Sequence, residues 1–204
     1  MQGYIIRTQK VKDEDLLVFI LTKNALVKSY RFYGARHPSV MTGYKIDFEL
    51  NESLNFLPQL RSVLHLGHRW LVLRERLVVW QQFMRLLYAH LKDAGELDEI
   101  YFNELEICAA RFGLQNPKRL IIESYARILE AEGRLHSEFE CFVCDEPIEG
   151  KVCLTRGFLP SHQRCFERAK FEKHKIARLF EDKSAIDLSD DEVDKIYQIV
   201  LEGF

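Results

Sequence analysis

The sequence predicts an α+β protein of more than one domain: a small N-terminal β-barrel, then a helical domain into which a zinc-ribbon-like segment is inserted. Three observations carry this expectation. Short runs rich in β-branched and aromatic residues fill the chain as far as residue 66. From about Glu75 the apolar residues recur at helical spacing, and four of the five cysteines crowd between Cys141 and Cys165.

The strand runs come first. GYIIRTQK (3–10), DLLVFILT (15–22), ALVKSYRFY (25–33), YKIDFEL (44–50) and QLRSVLH (60–66) are separated by KDED, KN, GARHPS and NES, which are turn compositions. Five short strands in so little chain favour a closed barrel over an open sheet, because closure leaves few strand edges unpaired. This gives a barrel over residues 1–74 and a helical domain over 75–204.

Helices follow with readable ends. WLVLRERLVVWQQFMRLLYAHL (70–91) places Leu77, Trp80, Phe83, Met84, Leu87 and Leu91 on one stripe, and DAG stops it. ELDEIYFNELEICAARFG (96–113) is expected to close on a left-handed Gly113. The next helix takes Asn116 as N-cap with Pro117 at its first position and ends at Gly133. FERAKFEKHKIARLFE (166–181) reads as a further helix, and SDDEVDKIYQIVLEG (189–203) opens on a capping box of Ser189 and Glu192.

At 204 residues with 47% apolar and 12% aromatic side chains, the composition is that of a globular protein. Apolar runs such as LLVFIL are too short to span a bilayer, and MQGYIIRTQK lacks the apolar core of a signal peptide. The expected location is the cytoplasm, where thiols stay reduced and disulfides are rare. The net charge of −2 is unevenly distributed: residues 1–78 carry 12 Lys+Arg against 7 Asp+Glu, the remainder 17 against 24. A polyanion would therefore meet the front of the chain.

Cys141 and Cys144 form a C-x2-C pair, and His162 with Cys165 repeats the spacing as H-x2-C after 17 intervening residues. Two such turns can supply four ligands to one tetrahedral zinc ion. Gly150 and Gly157 mark turns of a short ribbon between them. Cys153 is the alternative ligand to His162, although its place between Val152 and Leu154 reads as mid-strand. Four protein ligands leave no open position, so one structural zinc per chain is expected. Cys108, alone on an apolar helix face, reads as core. Zinc deaminase and thioredoxin-type readings fail on spacing and context, and no Gly-rich phosphate loop, G-x-S-x-G elbow or H-E-x-x-H helix occurs. The chain is not expected to be an enzyme.

The remaining chemistry lies in the basic barrel. Lys28, Tyr30, Arg31, Phe32, Tyr33 and Arg36 interleave cations with aromatic rings, and Lys10 and Lys12 lie at the first turn. Single-stranded nucleic acid needs both kinds of residue: cations track the phosphates and flat rings stack on bases. Strand alternation sets Lys28, Tyr30 and Phe32 on one face and Arg31 and Tyr33 on the other, leaving open which face is wet.

The run GYIIRTQKVKDEDLLVFILT, the turn YGAR (33–36) and the late cysteine-bearing ribbon together resemble RecO, a family of bacterial DNA repair and recombination mediators. The likeness extends over essentially the full chain, which is short for the family. It implies an OB-fold barrel and a zinc ribbon in which Cys141, Cys144 and Cys165 match a C-x2-C and C-x2-C pattern and His162 replaces one cysteine. It further implies a non-enzymatic protein, nucleoid-associated, that binds single- and double-stranded DNA and anneals complementary strands. With RecR, and in some bacteria RecF, such a protein helps load RecA onto DNA covered by single-strand-binding protein. The family also implies capture of that protein's acidic, aromatic-ended C-terminal tail on the helical part, for which Arg164, Arg168, Lys170, Lys173 and Lys175 are candidate rim cations. The competing expectation is a barrel and zinc-ribbon adaptor acting in RNA or transcription-associated protein interactions.

Overall fold

The computed structural model describes residues 1–52 and 54–204, so Ser53 of the expected NES turn lies outside the described residues. The chain forms two compact units, Met1–Gly113 and Leu114–Phe204.

In the first unit, β1 (Gln2–Lys10), β2 (Leu16–Leu21), β3 (Leu26–Arg31), β4 (Lys45–Asn51) and β5 (Gln59–His65) close a barrel in the order β1-β2-β3-β5-β4. All neighbours are antiparallel except β3 and β5, which run parallel. A five-stranded Greek-key barrel closed in this order is the OB-fold. Its interior holds Ile5, Leu16, Val18, Ile20, Val40, Ile46, Phe48 and Leu60. Alternation on β2 points Leu16, Val18 and Ile20 inward, so Phe19 and Leu21 face outward, yet both are buried.

What covers them is helix. α1 (Arg74–Leu91) lays Tyr88 edge-on to Phe19 at 4.9 Å and Trp80 edge-on to Tyr4 of β1 at 5.9 Å. α2 (Ile100–Arg111) adds Phe102, also edge-on to Tyr4, at 5.8 Å. Glu106 of α2 accepts from the Tyr4 hydroxyl at 2.6 Å and pairs with Lys45 at 2.8 Å. Each aromatic pair contributes about 0.5–1.5 kcal/mol beyond its buried area. The division expected between residues 74 and 75 therefore falls inside the first unit. Strands buried on both faces need a helical cover, and α1 and α2 supply it.

The trace 41–43 is tied to this cover: Trp80 donates from Nε1 to the Gly43 carbonyl at 2.8 Å and Gln81 donates to the Thr42 carbonyl at 3.2 Å. Gly43 sits at φ +97°, and a Cβ there would lie 2.8 Å from Trp80 Cδ1. α2 ends without the expected left-handed Gly113; its last turn passes through Phe112 in the right-handed region. Phe112 is buried against Trp70 and Trp80, and that packing fixes the exit of the chain.

The second unit contains α3 (Pro117–Ala131), a three-stranded sheet of β6 (Lys151–Leu154), β7 (Pro160–Ser161) and β8 (Lys170–Glu172) in the order β7-β6-β8, then α4 (Lys173–Asp182) and α5 (Asp190–Val200). Asn116 caps α3 by accepting from the Lys118 amide at 3.0 Å, and the chain leaves through left-handed Gly133. Ser189 and Glu192 form the capping box of α5. The helix expected over 166–181 is only partly one. Phe171 pairs with Val152 and is buried, so residues 170–172 join the sheet and helix begins at Lys173. Pairing to β6 satisfies backbone groups that an earlier helix start would also have satisfied, but it additionally buries Phe171.

Candidate nucleic-acid groove and metal centre

On the barrel's outer surface, Tyr30 and Phe32 at the end of β3 line an open cavity of about 480 Å³ with Phe56, Leu57 and Gln59, from the β4–β5 connection and the start of β5. Tyr30 meets Phe32 edge-on at 4.9 Å. Phe32 and Phe56 are 48% and 79% exposed, which leaves ring faces open for stacking. The acidic turn between β1 and β2 braces this wall. Asp15 accepts from the Tyr30 hydroxyl at 2.6 Å and from the Tyr33 amide at 2.7 Å. Those two bonds hold the Asp15 carboxyl below its ordinary pKa and the same contact raises that of Tyr30. OB-fold barrels bind oligonucleotides with this region, the β2–β3 face and the loops that flank it.

The alternation expected on β3 is present, and Lys28 and Tyr30 lie on the outward face, Lys28 exposed and Tyr30 half-buried. Those two pair across from Phe19 and Leu17, whereas Arg31 pairs across from core residue Leu16. Arg31 is half-buried, donates from Nη1 to the Leu60 carbonyl at 2.7 Å and leaves Nε buried without a partner. Burial, with Arg61 nearby, lowers its pKa. Arg31 thus serves the barrel's end more than its groove. Lys28 is exposed with its ammonium 5.8 Å from the Phe19 ring. Tyr33 and Arg36 are exposed and stacked at 5.6 Å, and Arg36 is ion-paired to Glu14. Lys10 and Lys12 are exposed at the β1–β2 turn. Phe56, Leu57 and Gln59 were not among the expected site residues. The signal for them was the apolar NFLP between two strands, in a stretch whose composition otherwise reads as loop.

The second unit assembles the other expected site. The ligand atoms of Cys141, Cys144, His162 and Cys165 all lie within 4.8 Å of one another. Cys144 Sγ is 3.5 Å from His162 Nδ1 and 3.7 Å from Cys165 Sγ. A tetrahedral zinc with Zn–S of about 2.3 Å and Zn–N of about 2.0 Å separates its ligands by about 3.5–3.8 Å, so the four residues fit the ion. His162 Nε2 lies 3.2 Å from the Pro147 carbonyl; donating there leaves the Nδ1 lone pair for metal. Both knuckles are tight turns: the Asp145 amide returns to the Cys141 carbonyl at 2.8 Å and the Cys165 amide to that of His162 at 3.1 Å. Burial works against a charged Cys141, but amides of His162, Val143 and Cys144 converge on its sulfur and bring its pKa down to about 6. The direction of that shift favours the thiolate, the form that ligates.

Cys153 is outside the cluster. It is buried on β6, its Sγ 3.6 Å from the Arg168 carbonyl, and burial raises its pKa.

Beside the knuckles, Arg134, Arg156 and Arg168 line a cavity of about 590 Å³ with Phe142 and Phe166. Of the five rim cations expected in this part of the chain, only Arg168 lines it, ion-paired to Glu202, which lines it too. Lys173 donates to the Ile148 carbonyl at 2.8 Å and Lys175 pairs with Glu192 at 2.8 Å, so both serve the fold. Arg164 and Lys170 are exposed.

The structure therefore joins an OB-like barrel, with an open aromatic cavity on its surface, to a helical unit that contains a Cys3His group able to hold a metal ion. Residues 1–71 match a family model described as RecO N terminal. The match shows a likeness to RecO for that region alone; residues 72–204 lie beyond it. No curated protein matches the chain. Among the described residues no helix is long and apolar enough to cross a membrane.

Proposed function

We propose that this chain is a non-enzymatic DNA repair and recombination mediator that binds single- and double-stranded DNA, anneals complementary strands and acts with RecR to load RecA onto DNA covered by single-strand-binding protein. The observation that carries the reading is the groove of Tyr30, Phe32 and Phe56 on a barrel whose sequence matches the RecO N-terminal model. Bases stack on these rings while Lys28 and the lysines of the β1–β2 turn follow the phosphates. One zinc ion held by Cys141, Cys144, His162 and Cys165 fixes the ribbon and takes no part in chemistry. The cavity where Arg134, Arg156 and Arg168 meet Phe142 and Phe166 is the candidate seat for the acidic, aromatic-ended tail of single-strand-binding protein: it brings cations and rings together, and the tail's carboxylate would take the place of Glu202 on Arg168.

Binding to labelled single-stranded DNA, duplex and RNA of equal length, with a RecR pull-down in parallel, tests the proposal. Preference for DNA with capture of RecR is expected. Preference for RNA without RecR capture would move the chain to the adaptor reading.

A further inference from the structure

A second polar cavity, of about 280 Å³, lies on the barrel away from the aromatic groove. It is lined by Arg7 and Thr8 of β1, Met41 and Thr42 of the tied trace, and Gln81 and Arg85 of α1. β1 is bonded to β2 and β4 and to neither β3 nor β5, so it lies across the barrel from the strands that bear the groove. Two exposed guanidinium groups share this cavity with two hydroxyls and an amide, and among the described residues no carboxylate lines it. The sequence around it is consistent: residues 2–10, 32–44 and 76–91 contain no Asp or Glu, in a chain with 31 acids among 204 residues. Arg7 faces the Tyr88 ring at 5.7 Å, and among the described residues neither arginine has an acidic partner.

The cavity is also built rather than incidental. Its floor is fixed by the Gln81 bond to the Thr42 carbonyl and by the Trp80 bond to Gly43. Thr8 and Thr42 hydroxyl oxygens approach to 3.4 Å. The Gly43 amide donates to the Ile5 carbonyl at 2.7 Å, which ties the trace to β1. Two like charges held on rigid elements repel unless an anion sits between them, and planar guanidinium forks match phosphate oxygens.

We infer that this cavity binds a backbone phosphate of a nucleic-acid segment other than the one in the aromatic groove. The inference rests on the nucleic-acid reading above and adds a second contact across the barrel. A protein that brings two strands together needs separate purchase on each, and a site for phosphate without rings would hold the second strand irrespective of its sequence.

Single-stranded DNA binding by the full chain over a salt series, for wild type, R7Q/R85Q and the groove variant F32A/F56A, tests it. The arginine pair should lower affinity at low salt about ten-fold and make the log-log salt slope shallower by about 0.7–1.4, the loss of one or two phosphate contacts on a single strand. F32A/F56A should lower affinity with the slope kept. Loss in the groove variant with R7Q/R85Q identical to wild type would overturn the inference and leave the DNA reading standing. Absence of binding by wild type would overturn both. Calorimetric titration with inorganic phosphate at fixed ionic strength separates the sources: submillimolar binding abolished by R7Q/R85Q would assign the cavity to free phosphate and overturn the strand assignment. Both arginines are exposed, so matching thermal melts should accompany the substitutions.

Discussion

The Asp15 carboxylate accepts the Tyr30 hydroxyl at 2.6 Å, so a negatively charged turn braces one wall of the groove proposed to bind DNA. Removing the ring and removing the charge should act in opposite directions. Y30A should weaken single-stranded DNA binding by about 1–3 kcal/mol, the worth of one base stacked on an aromatic ring, whereas Y30F should bind within two-fold or so of wild type. D15N can accept the Tyr33 amide with its one oxygen and donate its NH2 to the Tyr30 hydroxyl, and it removes a charge that repels phosphate. Its affinity should rise at low salt and return to the wild-type value as salt screens the difference. Fluorescence anisotropy at two salt concentrations reads all three.

Lys28 and Arg31, three residues apart on one strand, should separate cleanly. K28E, on the outward face, should weaken DNA binding with the melting temperature unchanged. R31M should lower the melting temperature, because it removes the donor to the Leu60 carbonyl at the end of the barrel. The comparison of anisotropy with thermal melts distinguishes groove from scaffold.

Protein purified without chelator should carry one equivalent of zinc, and C144S should lose it while C153S keeps it. Stripping the metal should raise amide exchange across 141–165 and leave the barrel's exchange unchanged, since the ribbon has little core of its own. Elemental analysis with hydrogen exchange would decide, and zinc retained by C144S would count against the ligand set.

Burial lowers the pKa of both His65, stacked on Tyr44 at 4.0 Å, and His68, stacked on Trp70 at 5.4 Å. The unfolded chain therefore takes up protons below about pH 6.5 that the folded unit refuses. Stability contributed by the neutral rings should be complete above that pH and decline as pH falls toward the folded values. Urea midpoints at pH 7.5 and 5.5 should show the loss, and H65F should reduce it.

Gly43→Ala places a Cβ 2.8 Å from Trp80 at a backbone angle that side chains rarely adopt. Destabilisation of about 1–3 kcal/mol or more is expected from the backbone alone, read as a shift in the denaturation midpoint.

Much of this protein was legible in the chain itself. Short β-branched and aromatic runs between turn compositions marked the barrel strands, because such side chains suit a pleated sheet, and the capping box at Ser189 and the Asn116-Pro117 start were readable because helix ends are satisfied locally. The Cys3His group was readable because ligand spacing within each knuckle is a property of four adjacent residues. What no local pattern carried was decided by packing between distant segments. The choice of His162 over Cys153 turned on β6 burying Cys153 against the Arg168 carbonyl. The inward turn of Arg31 followed from its register opposite Leu16, and residues 170–172 left the helical pattern to pair with β6. The assignment of α1 and α2 to the barrel's unit came from strands with two apolar faces, whose second face needs a partner that only the folded chain supplies.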